Sequence, residues 1–211
     1  MKIYSFKTLQ STQKWLIEKV EEGSVEIPCA VIAKIQTDGI GSRENRWIGK
    51  KGNFFASIAI YEDNLPKDLP IAAASIYFAY LMKLSLKEFG SQVWVKWPND
   101  LYIELKKVGG CITTKKKKTI IVGIGVNVVK APLGFGVLDV TISNDELLSS
   151  FIKRVDEAPL WKEIFSNFRL EFEKSKEFSV NVDSKKLDLS SAILNEDGSL
   201  TIGERRIVSI R

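Results

Sequence analysis

Short apolar runs and longer amphipathic segments alternate along the chain, and the two patterns predict different elements. Residues 29–36 (CAVIAKIQ), 54–61 (FFASIAIY) and 119–129 (TIIVGIGVNVV) are runs rich in β-branched or aromatic residues, which are typical of buried strands. Helices are predicted near residues 12–23, 70–89, 144–156 and 159–176, several of them bounded by N-cap residues or terminal glycines.

The middle of the chain predicts consecutive strands joined by tight turns. Residues 92–97 alternate between polar and apolar, Pro98-Asn99-Asp100 forms a turn, and residues 101–105 continue as a strand. The lysine run at 115–118 is interpreted as the solvated tip of a further hairpin. Strands and helices in this order favour an α+β fold with a mixed or antiparallel sheet covered by helices.

The pattern changes near the C-terminus and within one polar segment. From about residue 178 short strands alternate with Asp-Gly and Ile-Gly-Glu turns, in a stretch too short for a core of its own. We therefore predict a main domain at 1–176 and a small β-barrel-like domain at 177–211. Residues 37–53 are expected to form a long loop that substrate orders.

Composition narrows the chemistry mainly through what the chain lacks. The 211 residues include no histidine and two cysteines, Cys29 and Cys111. These numbers exclude Ser-His-Asp and Cys-His nucleophile pairs, imidazole acid–base catalysis and His-ligated zinc. Catalysis must then rest on lysine, arginine, carboxylates, amides, backbone groups or an oxygen-bound cation such as Mg²⁺. No metal site built from side chains is predicted.

Charge and targeting signals are unremarkable. The net charge of +5 is compatible with an anionic substrate or an acidic partner, although a solvated basic surface is the favoured explanation. Neither a signal peptide nor an apolar stretch of membrane-spanning length is visible, so we expect a cytoplasmic protein without membrane contact.

Three segments carry residue types that are poor choices for structure alone. In the first, Gly39 and Gly41 let the backbone turn and present N–H groups to an anion, while Arg43 and Arg46 supply positive charge. The alternative is a surface loop anchored by Trp47.

The second and third segments follow buried strands. Asn99 and Asp100 place a donor and a carboxylate at the end of one strand, and Lys107 lies across a hairpin from them. An ammonium there suits a carboxylated substrate or a phosphate, although turn residues and an exposed lysine are the alternative. The glycines within 121–127 indicate close approach of a ligand or another backbone, and Asn127 could contact a nucleobase or ribose.

Taken together and in this order, the segments resemble the biotin protein ligase family, the biotin–[acetyl-CoA-carboxylase] ligases. The family motifs are an S-T start, a G-R-G-R-x-G-R-x-W loop, K-W-P-N-D followed by K-x-x-G, and G-I-G-x-N. This chain has Ser11-Thr12-Gln13, GIGSRENRW at 39–47, KWPND at 96–100, Lys107-Val-Gly-Gly110 and GIGVN at 123–127. The resemblance runs from about Ser5 to the C-terminus. It implies a class II synthetase-like fold with an SH3-like C-terminal β-barrel.

The resemblance implies a two-step reaction that needs no histidine. The carboxylate of biotin attacks the α-phosphate of MgATP, which yields biotinyl-5′-AMP and pyrophosphate. A lysine of the biotin carboxyl carrier protein of acetyl-CoA carboxylase then attacks the adenylate and expels AMP. Biotin, ATP and Mg²⁺ are therefore the expected small molecules. No DNA partner is expected, since the motifs begin at Ser11 and leave no room for an N-terminal DNA-binding domain. Relatives include monomers and homodimers, which leaves the oligomeric state open.

Matching positions imply roles for individual residues. Lys107 would contact the biotin carboxylate and the α-phosphate, Asn99 and Asp100 would orient the reacting groups, and Arg43 would contribute charge. Asn127 and Phe135 would lie on the adenine side, and Trp47 would line or close the site. The expected binding residues are Ser11, Thr12, Gln13, Gln36, Gly39, Ile40, Gly41, Ser42, Arg46, Trp47, Lys96, Gly110, Asn127 and Phe135.

The glycine–arginine loop departs from the family pattern. Ile40 and Ser42 stand where the family has arginines, and Glu44 replaces a glycine. We expect a thinner cationic clamp, formed by Arg43, Arg46 and Lys107, and weaker retention of the adenylate. Two alternatives stay open: a lipoate–protein ligase with the same fold, and a nucleic-acid-binding module whose affinity would fall steeply with salt.

Overall fold

The computed structural model describes residues 1–41, 46–182 and 185–208. In chain order the elements are β1 (Lys2–Phe6), α1 (Thr12–Glu21), β2 (Cys29–Ala33), β3 (Gln36–Ile40), β4 (Arg46–Gly49), β5 (Phe54–Tyr61), α2 (Ala74–Glu88), β6 (Trp94–Lys96), β7 (Asp100–Ile103), β8 (Lys106–Lys116), β9 (Thr119–Val126), α3 (Asn144–Glu157), α4 (Trp161–Ser175), β10 (Ser179–Val182), β11 (Lys185–Asp188), β12 (Ile193–Leu194), β13 (Leu200–Ile202) and β14 (Arg205–Ile207). Short 3₁₀ turns span Glu62–Asn64 and Ile71–Ala73.

A seven-stranded mixed sheet forms the centre of the protein. Its spatial order is β1-β2-β5-β9-β8-β7-β6. β1 and β2 are parallel, and every other neighbouring pair is antiparallel. The predicted α+β fold is confirmed, as are the four helices and the hairpin whose tip carries the lysine run.

The two faces of the sheet pack against different helices because successive residues of a strand point to opposite sides. On β5, Ala56 and Ile58 join the large apolar core shared with α2, α3 and α4. Ala59 points the other way and packs with Leu16 of α1 and Ile121 of β9. Each fully buried Leu or Ile side chain stabilises the fold by about 1.5–3 kcal/mol. The apolar core under α1 is the smaller of the two, and the glycines of β9 lie on this face of the sheet.

Residues 37–53 differ from the expected long loop. β3 and β4 form an antiparallel two-stranded sheet instead, and the strand predicted at 29–36 ends at Ala33. Glycine permits the close pairing, since a Cβ at Gly39 would lie 2.7 Å from the backbone oxygen of Trp47. A Cβ at Gly49 would likewise collide with Gln36. The polar residues of this segment predicted a loop, whereas the backbone pairing of Gly39 with Trp47 and of Gly49 with Gln36 produces strands.

The C-terminal strands form two small antiparallel sheets, β10-β11 and β12-β13-β14, which are compatible with the expected SH3-like barrel. Val180 and Leu200 belong to the same apolar core as the main sheet. The Trp97 indole donates to the backbone oxygen of Gly198 (2.8 Å), and the Trp161 indole donates to that of Glu196 (2.8 Å). The C-terminal strands therefore pack directly on the main sheet. Among the described residues, no helix combines the length and apolarity needed to cross a bilayer.

Candidate active site

A cleft opens on the α1 face of the central sheet, above β8 and β9. Its empty space, including the part open to solvent, is about 450 Å³. The lining residues come from the start of α1, the β3–β4 hairpin, the Asn99–Asp100 turn and the two sheet strands. They are Ser11, Thr12, Gln13, Gln36, Ile40, Gly41, Trp47, Asn99, Asp100, Lys107, Gly110, Cys111, Ile112, Gly123, Ile124 and Gly125. Most of the predicted site residues are thus brought together.

Glycines form the floor of the cleft. Gly110 pairs with Gly125 across β8 and β9, and Gly123 lies two residues earlier on the same face. A Cβ at Gly123 would lie 2.6 Å from Oε1 of Gln13, and one at Gly125 would lie 2.6 Å from Cε2 of Trp47. The close approach expected from these glycines is therefore made by two side chains that cover the floor.

The N-terminus of α1 is tied to β3 and β5 by side chains. Thr12 donates from its backbone N (2.7 Å) and its hydroxyl (3.1 Å) to Oε1 of Gln36. The Ser57 hydroxyl donates to the Thr12 hydroxyl (3.0 Å), and Ser11 caps the helix by accepting from the Lys14 backbone N (3.4 Å). Ser57 is absent from the predicted site, although a buried serine within the apolar run 54–61 was a usable signal.

Two buried polar atoms face the floor of the cleft with no hydrogen-bond partner among the described residues: Oε1 of Gln13 and Nε1 of Trp47. The Gln13 amide is oriented by its Nε2, which donates to the Ile121 backbone oxygen (3.2 Å) and the Thr114 hydroxyl (3.4 Å). Leaving buried polar groups unpaired costs stability, so such atoms often mark a ligand position. Here an acceptor and a donor beside the cleft floor lack a partner within the part of the chain that the structure describes.

A lysine and a carboxylate stand at one side of the cleft. Nζ of Lys107 lies 2.6 Å from Oδ1 of Asp100, and both side chains are only partly exposed. A register shift in the β7–β8 pairing places Asp100 opposite Gly110. Asn99 fixes the turn through two hydrogen bonds to Cys111. Its side-chain Nδ2 donates to the Cys111 backbone oxygen, and its backbone oxygen accepts from the Cys111 backbone N (2.9 Å).

A second cavity adjoins the first and shares Trp47 as a wall. Arg46, Asn127, Pro132 and Phe135 complete its lining. The Asn127 amide donates to the Gly136 backbone oxygen (3.2 Å), so part of its hydrogen-bonding capacity organises the adjoining segment. The structure thus brings Asn127 and Phe135 together beside Trp47.

Asp38, which is absent from the predicted site, holds Arg46. Its carboxylate lies 2.5 Å from Nζ of Lys14 and 3.2 Å from Nη2 of Arg46. The hydrogen bond from Lys14, followed by the charges of Lys14 and Arg46, lowers the pKa of Asp38 below its ordinary value. Arg46 and Lys107, the two expected clamp cations that the structure describes, are therefore both paired with carboxylates.

Lys96 lies outside the cleft lining. Its side chain is buried, with Nζ 5.7 Å from the ring centre of Tyr102 and 5.6 Å from that of Phe178. Cation–π attraction to these rings contributes to holding the ammonium there. Gly39 lies where the β3–β4 hairpin packs closely against Trp47 and does not line the cleft. Ser42 and Arg43, which are also in the predicted site, lie outside the described residues.

The lysine run at 115–118 and the question of a side-chain metal site can also be followed in the described part of the chain. In the lysine run, Lys115 pairs with Glu62 (2.7 Å) and Lys116 with Glu21 (2.6 Å), so part of its charge is used within the protein. No cluster of three or more His, Cys, Asp or Glu side chains suited to a metal occurs within 1–41, 46–182 and 185–208.

Comparison with known proteins assigns the family. The sequence profile described as the Biotin/lipoate A/B protein ligase family matches residues 5–128, more than half of the chain. The chain belongs to this family. A biotin/lipoate ligase-family structure, biotin acetyl coenzyme A carboxylase synthetase from Helicobacter pylori with bound biotinylated ATP, is 38% identical and superposes with a TM-score of 0.94. That match covers 98% of this chain and 99% of the other.

Curated members of the biotin/lipoate ligase family are similar over shorter regions. The bifunctional ligase/repressor BirA of Escherichia coli (strain K12) is 31% identical over 129 residues, which are 56% of this chain and 38% of that protein. The biotin–[acetyl-CoA-carboxylase] ligase of Paracoccus denitrificans is 29% identical over 113 residues, 48% of this chain and 45% of that protein. The matched region thus spans less than half the length of these relatives. The family resemblance seen in the sequence is confirmed, and so is the fold.

Proposed function

We propose that the chain is an ATP-dependent biotin protein ligase. The observation that carries this proposal is the position of Lys107 between the two cavities. Its side chain lines the cleft over the glycine floor, and its backbone oxygen accepts from the Gly136 N (2.9 Å) next to Phe135 of the second cavity. Biotin in the first cavity and the adenosine of ATP in the second would meet at this ammonium. The Helicobacter pylori structure with bound biotinylated ATP and the name of the Paracoccus denitrificans biotin–[acetyl-CoA-carboxylase] ligase support the same assignment.

In the first step a biotin carboxylate oxygen attacks the α-phosphorus, and the bond to the leaving pyrophosphate breaks. Both reactants are anionic, so their approach is opposed by charge. Lys107 offsets that repulsion where the new P–O bond forms, and Asp100 keeps the ammonium in place. Mg²⁺ would arrive on ATP and neutralise phosphate charge, held mainly by phosphate oxygens and water as is usual for this ion.

In the second step the ε-amine of an acceptor lysine attacks the acyl carbon of biotinyl-5′-AMP. A C–N bond forms, the acyl C–O bond breaks and AMP leaves. The amine must lose a proton to act as a nucleophile, and Asp100, which is partly exposed, is placed to accept it. We propose a biotin carboxyl carrier protein of acetyl-CoA carboxylase as the acceptor, in keeping with the names of two relatives.

The polar atoms over the floor favour biotin over lipoate. The ureido ring of biotin carries N–H donors and a carbonyl acceptor, which match Oε1 of Gln13 and the indole N–H of Trp47. The dithiolane ring of lipoate has neither, and it would leave both buried atoms unpaired. Sites built to hydrogen-bond a substrate discriminate strongly against an analogue without the matching groups.

The test uses the protein with MgATP, a biotin carboxyl carrier domain and either biotin or lipoate. We expect a streptavidin-detected band that needs ATP and the acceptor lysine, and pyrophosphate exchange that depends on biotin. Exchange supported by lipoate alone would reassign the substrate, and absence of exchange with both acids would remove the ligase proposal. The cytoplasmic location and the domain boundary at residue 176 stay predictions.

A further inference from the structure

Asn53 is a buried residue just before β5, and its side chain is fully used in hydrogen bonds. Oδ1 accepts from the backbone N of Val129 (3.0 Å) and of Lys130 (3.1 Å). Nδ2 donates to the backbone oxygen of Lys130 (2.7 Å) and to Oδ1 of Asn127 (3.3 Å). An amide side chain has two acceptor sites and two donor hydrogens, so none is left over.

The segment that Asn53 holds, residues 127–137, forms one wall of the second cavity through Asn127, Pro132 and Phe135. Little apolar burial fixes this segment. Val129 is 57% exposed, Phe135 is 41% exposed and Leu133 is completely exposed. A segment with few buried contacts depends on its hydrogen bonds for a defined position.

Further hydrogen bonds at both ends of the segment lead back to the same place. The Asn127 side chain, whose Oδ1 accepts from Asn53, donates to the Gly136 backbone oxygen (3.2 Å). Gly136 in turn donates its backbone N to the oxygen of Lys107 (2.9 Å). A continuous chain of contacts therefore runs from Asn53 through Asn127 and Gly136 to the backbone of Lys107.

We propose that Asn53 is a positioning residue for the nucleotide, because it holds residues 127–137 against Trp47 before any ligand binds. This inference rests on the proposed ligase function, and it assigns Asn53 to the ATP side of the site alone. The α1 side of the cleft, where we propose that biotin binds, is organised by hydrogen bonds of Thr12, Gln13 and Gln36 that involve no atom of Asn53. Loss of the Asn53 hydrogen bonds to residues 127–130 then weakens nucleotide binding selectively.

The experiment compares wild type with Asn53→Ala in biotin-dependent pyrophosphate exchange, with ATP and biotin varied separately. Loss of buried hydrogen bonds that order a wall is expected to raise KM for ATP roughly tenfold while KM for biotin stays within about twofold. Asn144→Ala is the matched control, since Nδ2 of Asn144 donates to the backbone oxygen of Asn53 (3.0 Å) without touching the segment. This control should lower stability without changing either KM.

A second measurement keeps the inference testable if Asn53→Ala fails to fold. Amide hydrogen exchange of Val129 and Lys130 in ligand-free wild type should be slow, because both amides are held by Asn53. Exchange at the rate of an unprotected chain would overturn the proposal, as would an equal rise in both KM values. If wild type shows protected amides but no pyrophosphate exchange with biotin or lipoate, the ligase function is refuted. The role of Asn53 in holding residues 127–137 would still stand.

Discussion

Lys107 and Asp100 lie on neighbouring strands, and their side chains meet with 2.6 Å between Nζ and Oδ1. Strand β8 supplies the ammonium, and the first residue of β7 supplies the carboxylate. Asn99 secures the turn before Asp100 through hydrogen bonds to Cys111, so the backbone that carries the Asp100 carboxylate is held in place. Asp100 therefore holds the Lys107 ammonium in place, while its own side chain stays partly exposed to solvent.

Lys107→Ala should remove most adenylation. Without the ammonium, the repulsion between the biotin carboxylate and the α-phosphate is no longer offset, and kcat for pyrophosphate exchange should fall roughly 100-fold or more. Lys106→Ala is the control, because Lys106 is the exposed neighbour and lines neither cavity. Equal losses in the two variants would show that Lys107 has no special role.

Asp100→Asn should separate the two steps. The amide preserves shape but cannot take a proton, so transfer of biotin to the carrier lysine should slow more than adenylation does. Single-turnover transfer from preformed biotinyl-5′-AMP measures the second step alone. The variant should recover part of its rate at higher pH, where more of the acceptor amine is already neutral. A loss that is the same in both steps and independent of pH would contradict the assignment.

Gly125→Ala should disturb the wall between the cavities. The added Cβ would lie 2.6 Å from Cε2 of Trp47, and overpacking of this kind costs about 1–3 kcal/mol, so KM for biotin and ATP should both rise roughly tenfold. Combining it with Trp47→Phe should cost less than the sum of the single changes, since the smaller ring relieves the overlap. Strict additivity in steady-state kinetics would place the effect elsewhere.

The positions that the sequence revealed share one property: their residue types conflict with their surroundings. Glycines inside the apolar run 119–129 and an Asn-Asp pair after a strand stand out without any structure. The β3–β4 pairing was missed, because polar residues in 37–53 mask strands that depend on backbone contacts at Gly39 and Gly49.

Other misses reflect contacts between residues far apart in the chain. Asn53 bonds to residues more than 70 positions away, and Asp38 meets Lys14 across 24 positions. No periodicity reports such contacts. Lys96 was placed in the site through the KWPND motif, and the motif does not report the contact of its ammonium with Phe178, 82 positions further along the chain.

Gln13→Leu should reduce selectivity for biotin. The substitution keeps the approximate volume but removes the buried acceptor over Gly123, so KM for biotin should rise roughly tenfold while the low activity with lipoate does not fall. Thr114→Val is the control, because it removes one acceptor of the Gln13 amide outside the cleft lining. A parallel decrease in activity with both acids would point to general damage at the start of α1.

Acid should weaken the contact between α2 and α3. The hydrogen bond from Ser150 and the charge of Arg154 lower the pKa of Glu88 below its ordinary value of 4.5. A carboxyl group whose pKa is depressed by folding stabilises the protein above the unfolded value and loses that contribution as pH falls through the folded value. Glu88→Gln should therefore be less stable than wild type at pH 7, by about 1 kcal/mol, and the gap should narrow as pH falls from 4.5 through the lower folded pKa of Glu88. Urea unfolding at both pH values measures this difference, and a gap that persists in acid would assign it to packing.

Trp97→Phe should couple a loss of stability to a loss of catalysis. The change removes the indole N–H that bonds the Gly198 oxygen and leaves that buried acceptor unpaired, which lowers the free energy of unfolding by about 1–3 kcal/mol. Trp97 also precedes the Asn99–Asp100 turn directly, so we expect kcat for transfer to fall as the turn loosens. Trp161→Phe is the control, because it breaks a part-buried bond to the exposed Glu196 at the same C-terminal turn but far in sequence from Asn99 and Asp100. Chemical denaturation should show the larger stability loss for Trp97→Phe, and transfer kinetics should show a decrease in kcat for Trp97→Phe alone; equal kcat values would mean that the C-terminal strands stabilise the fold without positioning the turn.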